Sequence, residues 1–191
     1  DGTTLLLANT SMFTINPHTF SKLPYDPEKH FKPVTNFLGS AMVMAVNANV
    51  PANNIKEFIE FAKANQTSMG TYAPGSYPHM VADQINRNHG SKILSIHYKG
   101  ESPMWVDVAS GQLQVAIGSY QAFNTVAGRG VRAIGVTGAY RSPKLPDVPT
   151  LVEQGMKDPL VALEGGLPLM APAGTPEAVL KILSSVVVQG E

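Results

Sequence analysis

Residues 69–117 read MGTYAPGSYPHMVADQINRNHGSKILSIHYKGESPMWVDVASGQLQVAI, and this stretch decides the fold class. Met69–Tyr72 is a short strand-like run that breaks at Pro74 and Gly75, residues that punctuate a turn. A helix follows, beginning near Ser76 or Pro78 and running towards Asn88, with proline in its first turn where no backbone N–H is needed. Ile93–His97 is the next strand-like run. After Gly100 a helix starts at Ser102, carries Pro103 in its first turn and stops at Gly111. Leu113–Ile117 and Val131–Thr137 are β-branched runs separated by a helical stretch near Tyr120–Ala127. Strands that alternate with helices build βαβ units, whose crossovers lay the strands side by side in one direction. The expectation is an α/β protein with a mainly parallel sheet.

Towards the N-terminus, Asn54 and Glu57 have capping-pair spacing, and Ile55, Phe58, Ile59 and Ala62 fall on one stripe of an amphipathic helix. Leu5–Ala8 is a continuous apolar run, the pattern of a strand covered on both faces, and it ends in the polar triplet Asn9, Thr10, Ser11. The opening Asp1-Gly2-Thr3-Thr4 reads as a turn entering that strand rather than as a secretory leader, so the sequence is expected to begin in mid-fold. Towards the C-terminus, Pro143, Pro146 and Pro149 make Arg141–Pro149 an ordered surface connection into a short helix. Leu167–Ala171 reads as a strand. Thr175 is expected to cap a helix that has Pro176 at its first position and turns Val179, Ile182, Leu183 and Val186 inward.

Composition narrows the function. A chain of 191 residues can bury a core without metals or crosslinks, as one domain or two small ones. Fourteen basic residues balance fourteen acidic ones with no basic cluster, which sets nucleic acid aside as a partner. Cysteine is absent, so there is neither a disulfide framework nor a thiolate metal site. His18, His30, His79, His89 and His97 form no metal-ligand motif. No G-x-S-x-G elbow, Walker loop or G-x-G-x-x-G occurs, and the carboxylates fall on helix faces and in turns. Neither an enzyme nor a cofactor is expected. No apolar run reaches the length of a membrane-spanning helix.

What remains is a set of strand-to-helix turns rich in small polar residues: Asn9, Thr10 and Ser11; Ala73, Pro74, Gly75 and Ser76; and Gly118, Ser119 and Tyr120. At the carboxyl ends of parallel strands, helix N-termini aim free N–H groups into the crevice, which favours an anion. A carboxylate can be held there by backbone donors, hydroxyls and water without an arginine. Simple capping is the competing explanation of each turn. His79 either orients the Ser76 loop or serves local backbone and packing, and Lys99 is as readily solvated as turned to the site.

Five strings go further: Asp1–Leu7; Tyr25-Asp26-Pro27 through Phe31-Lys32-Pro33-Val34; His97-Tyr98-Lys99-Gly100; Arg141–Thr150, RSPKLPDVPT; and Ala171–Pro176, APAGTP. In order along essentially the whole chain, they resemble the Bug receptors, the TctC-like substrate-binding components of tripartite tricarboxylate transporters. The resemblance implies two Rossmann-like lobes of a type II-like periplasmic binding protein. Lobe I would comprise residues 1–40 and 165–191 and be incomplete in this chain, and lobe II residues 41–164. It also implies a periplasmic location, no catalysis, and delivery of a small carboxylate to a membrane permease. Carried over by position, Asn9, Thr10 and Ser11 would line the cleft from lobe I, and Ala73, Gly75, Ser76, His79, Ser119 and Tyr120 from lobe II. The chain departs from the family at two places: the loop after Tyr72-Ala73 is shorter, and an aspartate common before the Ser119 position is Gly118. That aspartate can pair with an ammonium, so its loss argues for a dicarboxylate or an aromatic acid over an amino acid. The alternative is the effector domain of a LysR-type transcription regulator, which shares the two-lobed scaffold.

Overall fold

In the computed structural model, residues 3–37, 41–163 and 166–189 are described, and contacts divide the chain into one unit of Asp1–Gly39 with Gly165–Glu191 and another of Ser40–Glu164. The first segment carries β1 (Leu6–Leu7), α1 (Ser11–Thr14), α2 (Asn16–Thr19), α3 (Pro27–His30) and β2 (Phe31–Phe37). The larger unit follows with β3 (Val43–Asn47), α4 (Ile55–Ala64), β4 (Thr67–Thr71), α5 (Tyr77–His89), β5 (Ile93–His97), α6 (Glu101–Ser110), β6 (Val115–Gly118), α7 (Tyr120–Asn124), β7 (Val131–Val136) and a 3-10 turn at Pro159–Ala162. The chain then returns to the first unit with β8 (Leu167–Pro172) and α8 (Glu177–Gln189).

The larger unit is a five-stranded sheet in the order β5-β4-β6-β3-β7. β4 runs parallel to both β5 and β6, as the alternation of strand and helix demands, but β3 lies antiparallel between β6 and β7. Every residue of β3 is buried. Met44 and Val46 pack into one apolar cluster with Phe58 of α4 and Ile85 of α5, while Val43 and Ala45 pack into another with Trp105 of α6 and Phe123 of α7. Alternate side chains of a strand point to opposite faces, so β3 ties the two helical layers together through the sheet.

α4 shows how local sequence sets an element. Its buried residues are Ile55, Phe58, Ile59 and Ala62, the stripe predicted from spacing. Asn54 Oδ1 accepts from the Glu57 N–H at 2.9 Å, and Glu57 Oε2 in return accepts from the Asn53 N–H at 2.7 Å. The reciprocal bond thus reaches one residue beyond the N-cap itself. α6 ends at Gly111, whose φ of 84° is left-handed and strains any other residue.

The smaller unit is a three-stranded antiparallel sheet, β1-β8-β2, with a core of Val34, Ala171 and Leu180 backed by Leu5, Leu169 and Leu183. Three expectations are corrected here. Leu5–Ala8 is not a doubly covered strand: among the described residues Leu6 and Leu7 pair with β8, the Ala8 N–H donates to the Pro168 carbonyl of the same strand, and Leu7 is 55% exposed. In α8 the inward residue is Leu180, with Val179 and Leu183 half-buried, whereas Ile182 and Val186 are each 62% exposed. The helix is apolar on more than one side, so spacing did not fix which side meets Val34 and Ala171. The Thr175 hydroxyl is buried without a hydrogen-bond partner rather than capping α8.

Phe58 is fully buried in the core, so its truncation leaves a cavity there. Phe58→Ala is expected to cost about 3–5 kcal/mol, and Asn54→Ala about 1 kcal/mol through loss of the cap. Urea-unfolding midpoints at constant slope measure both.

Candidate functional site

The register of the larger sheet gathers its strand ends. Thr71 lies beside His97, and Gly70 beside Ala116, so β4, β5 and β6 finish along one edge. The chain leaves that edge through Tyr72–Ser76 into α5, through Tyr98–Gly100 into α6 and through Ser119 into α7. Helix heads carry N–H groups without intrahelical acceptors and the positive end of the helix dipole.

Ser76 stands at the N-cap of α5 with an extended backbone, yet its side chain makes no cap bond. The residue is 6% exposed and its Oγ is buried without a partner among the described residues, a cost the folded chain carries unless something else supplies an acceptor. The loop before it is fixed from within. The Ser76 N–H donates to the Ala73 carbonyl at 3.2 Å, and the Gly75 N–H donates to His79 Nδ1 at 2.9 Å, with Gly75 at a left-handed φ of 72°. Accepting at Nδ1 places the proton of neutral His79 on Nε2. The ring meets that of His97 edge-on at 5.1 Å between centroids, and His97 Nδ1 pairs with the Thr71 hydroxyl. His79 thus bonds the backbone of the loop that carries Ser76.

The third turn is arranged differently. Ser119 caps α7, its Oγ accepting from the Ala122 N–H at 3.3 Å, but its N–H and O–H both donate to Glu101 Oε2, at 2.8 and 2.6 Å. A carboxylate of the chain itself occupies these two donors. Near it the Trp105 indole N–H is buried without a partner, and a Cβ built at Gly118 would lie 3.0 Å from both Glu101 Oε2 and Trp105 Nε1. Tyr120 is half-buried, with its hydroxyl donating to Asn124 Oδ1 at 3.3 Å and its ring facing Lys144 Nζ at 5.2 Å. Lys99 is exposed. Tyr98 donates to Asp107 Oδ2 at 2.6 Å.

In the smaller unit, Asn9 Oδ1 accepts from the N–H and the hydroxyl of Ser11, at 2.9 and 2.8 Å, an intraloop cap. The N–H and Oγ1 of Thr10 donate to the Gly166 carbonyl, at 3.2 and 2.7 Å. The side-chain N–H groups of Asn9, an exposed residue, have no partner among the described residues.

Sequence reasoning passed over Glu101 and Trp105. An acid in the first turn of a helix is a visible signal, but it is also the ordinary complement of the helix dipole, and nothing in the spacing of Glu101 and Ser119 announces that they meet. Among the described residues no group of His, Asp or Glu is placed to hold a metal ion, and no helix is long and apolar enough to cross a membrane.

Comparison with known proteins agrees with this architecture. The sequence model of the tripartite tricarboxylate transporter family receptor matches residues 1–190. A UPF0065 protein of Bordetella bronchiseptica is 32% identical over 187 residues, which cover 96% of this chain and 54% of the relative. The chain thus spans about half the length of that curated relative. Among solved structures, R. palustris Rpa4515 with adipate superposes with a TM-score of 0.87 at 27% identity, covering 98% of this chain and 63% of that one. The periplasmic binding protein BugD gives 0.82 at 28%, covering 96% and 61%.

The Tyr98 hydroxyl titrates late. Removal from water, and then its bond to Asp107, push it from 10.0 up to about 12. A raised folded-state value means that this contribution to stability is complete below about pH 10 and is lost as pH climbs through about 12. Tyr98→Phe is expected to flatten that part of the alkaline decline, read as the unfolding midpoint across a pH series from about 9 to about 12 against the parent chain.

Proposed function

This chain belongs to the tripartite tricarboxylate transporter receptor family, and we propose that it serves as a periplasmic solute receptor that captures a small carboxylate and delivers it to a membrane permease. The family is one of receptors rather than enzymes, and its relative BugD is a periplasmic binding protein. The observation that carries the proposal is Ser76: a buried hydroxyl without a partner at the head of a 13-residue helix, on the edge where three strands end. A carboxylate oxygen there would accept from the hydroxyl and from first-turn N–H groups, gaining charge-assisted bonds while relieving the orphan donor. That Rpa4515 is known with adipate makes an acid the natural class of ligand.

Contacts to an acid are proposed for each unit by itself. In the larger unit the Ser76 hydroxyl is the donor on offer, with Ala73, Gly75 and His79 holding its loop in shape. In the smaller unit the free amide of Asn9 is the donor on offer, while Thr10 and Ser11 fix the turn that presents it.

Isothermal calorimetry of the intact protein against a panel of dicarboxylates, hydroxy acids, amino acids and aromatic acids tests the proposal. At least one acid is expected to bind and be recovered unchanged. Ser76→Ala is expected to weaken that acid roughly tenfold or more, the worth of a hydrogen bond to a charged group. Turnover of a bound acid, or failure of every acid to bind, would refute it.

A further inference from the structure

We propose that Glu101 is a specificity-determining residue, selecting an acid that carries a hydrogen-bond donor on the carbon beside its carboxylate. The inference rests on the receptor function proposed above and adds the class of ligand.

Glu101 is held in place but not used up. Both bonds from Ser119 go to Oε2, and Oε1 accepts none among the described residues. No Lys or Arg among those residues forms an ion pair with it. It is half-buried, so water only partly compensates its charge. Its field is felt nearby: the Tyr72 hydroxyl is pushed upward, first by burial and then by the charge of Glu101. Beside it the fully buried Trp105 indole N–H has no acceptor, so this spot holds a second polar group that the chain leaves unmatched.

The position is apt for reading a ligand. Gly118 has no side chain, and Glu101 Oε2 reaches to 3.0 Å from where its Cβ would be, so the carboxylate fills the room a longer residue 118 would claim. Gly118 alone had argued against an amine, and Glu101 returns a negative charge to the same place. β4 and β6 are neighbours in the sheet, and neighbouring strands lie about 4.8 Å apart. The proposal sets the carboxylate at the head of α5, beyond β4, and turns its next carbon towards the acceptor at the end of the neighbouring β6. An ammonium or hydroxyl on that carbon satisfies Glu101, whereas a bare methylene leaves it unpaired against a second negative charge.

Aspartate, malate and succinate share one four-carbon skeleton and differ at that carbon by ammonium, hydroxyl and hydrogen. Glutamate, 2-hydroxyglutarate and glutarate repeat the comparison on five carbons, and phenylalanine, phenyllactate and 3-phenylpropionate on an aromatic acid. Calorimetry of the intact protein is expected to show, for whichever skeleton binds, a donor-bearing member at least roughly tenfold tighter than its unsubstituted analogue. The ammonium and hydroxyl arms identify which donor is read. Glu101→Gln keeps an oxygen for Ser119 but loses the charge, and is expected to shrink an ammonium preference to within about threefold; the wild-type ratios decide the matter if that variant does not fold. An unsubstituted acid that binds as tightly as its donor-bearing analogues, or an ammonium preference unchanged in Glu101→Gln, would overturn the role of Glu101 and leave the receptor reading intact. Failure of every acid to bind would overturn both.

Discussion

The parallel pairing of β4 with β5 and with β6 is the constraint on which the larger unit depends. Parallel strands must finish at the same edge, and each chain leaving that edge enters a helix by its positive end. Ser76, Gly100 and Ser119 are brought to one edge of the sheet by that rule and not by any attraction among themselves. The antiparallel β3 serves the same end. It lies between β6 and β7, buried along its whole length, and joins the α4–α5 layer to the α6–α7 layer while sending its own connection to α4 from the opposite edge.

How legible this was depended on whether one physical cause acted alone. The α4 stripe, β5 and the stop of α6 at Gly111 could be read because spacing, capping and left-handed glycine act within a few residues. The direction of β3 could not, since a wholly buried strand has the same apolar run whichever way it points. β1 failed for a related reason: Leu5–Ala8 reports apolar character but not the number of neighbours, and an edge strand with one partner leaves Leu7 in water. In α8, with Val179, Leu180, Ile182, Leu183, Val186 and Val187 all apolar, the face that packs is chosen by Ala171 and by Val34, the latter far away along the chain.

The polar turns divide the same way. Glycine and small hydroxyl residues mark a turn, and the fate of each hydroxyl is then settled by what lies across from it. Ser11 closes on Asn9, Thr10 on the Gly166 carbonyl and Ser119 on Glu101. Ser76 closes on nothing. Donors already matched inside the fold contribute little to a ligand, because binding would only exchange one bond for another, while an unmatched buried donor gains the whole bond. The capping explanation and the binding explanation of these turns are therefore separated by hydrogen-bond accounting and not by residue type.

A receptor that must also release its cargo has reason to work with neutral groups. An arginine clamped on a carboxylate in a dry site is difficult to part from it, and affinity differences among related complexes fall mostly on the rate of leaving. Hydroxyls and backbone N–H groups hold an acid more lightly, but they distinguish one acid from another poorly, because every carboxylate presents the same two oxygens. Discrimination then has to come from the remainder of the ligand. A fixed acceptor such as the one proposed in Glu101 would supply it by making the wrong ligand worse, since an acid without a donor would face that carboxylate unpaired. Selectivity gained through such a penalty leaves the release of the correct acid unhindered.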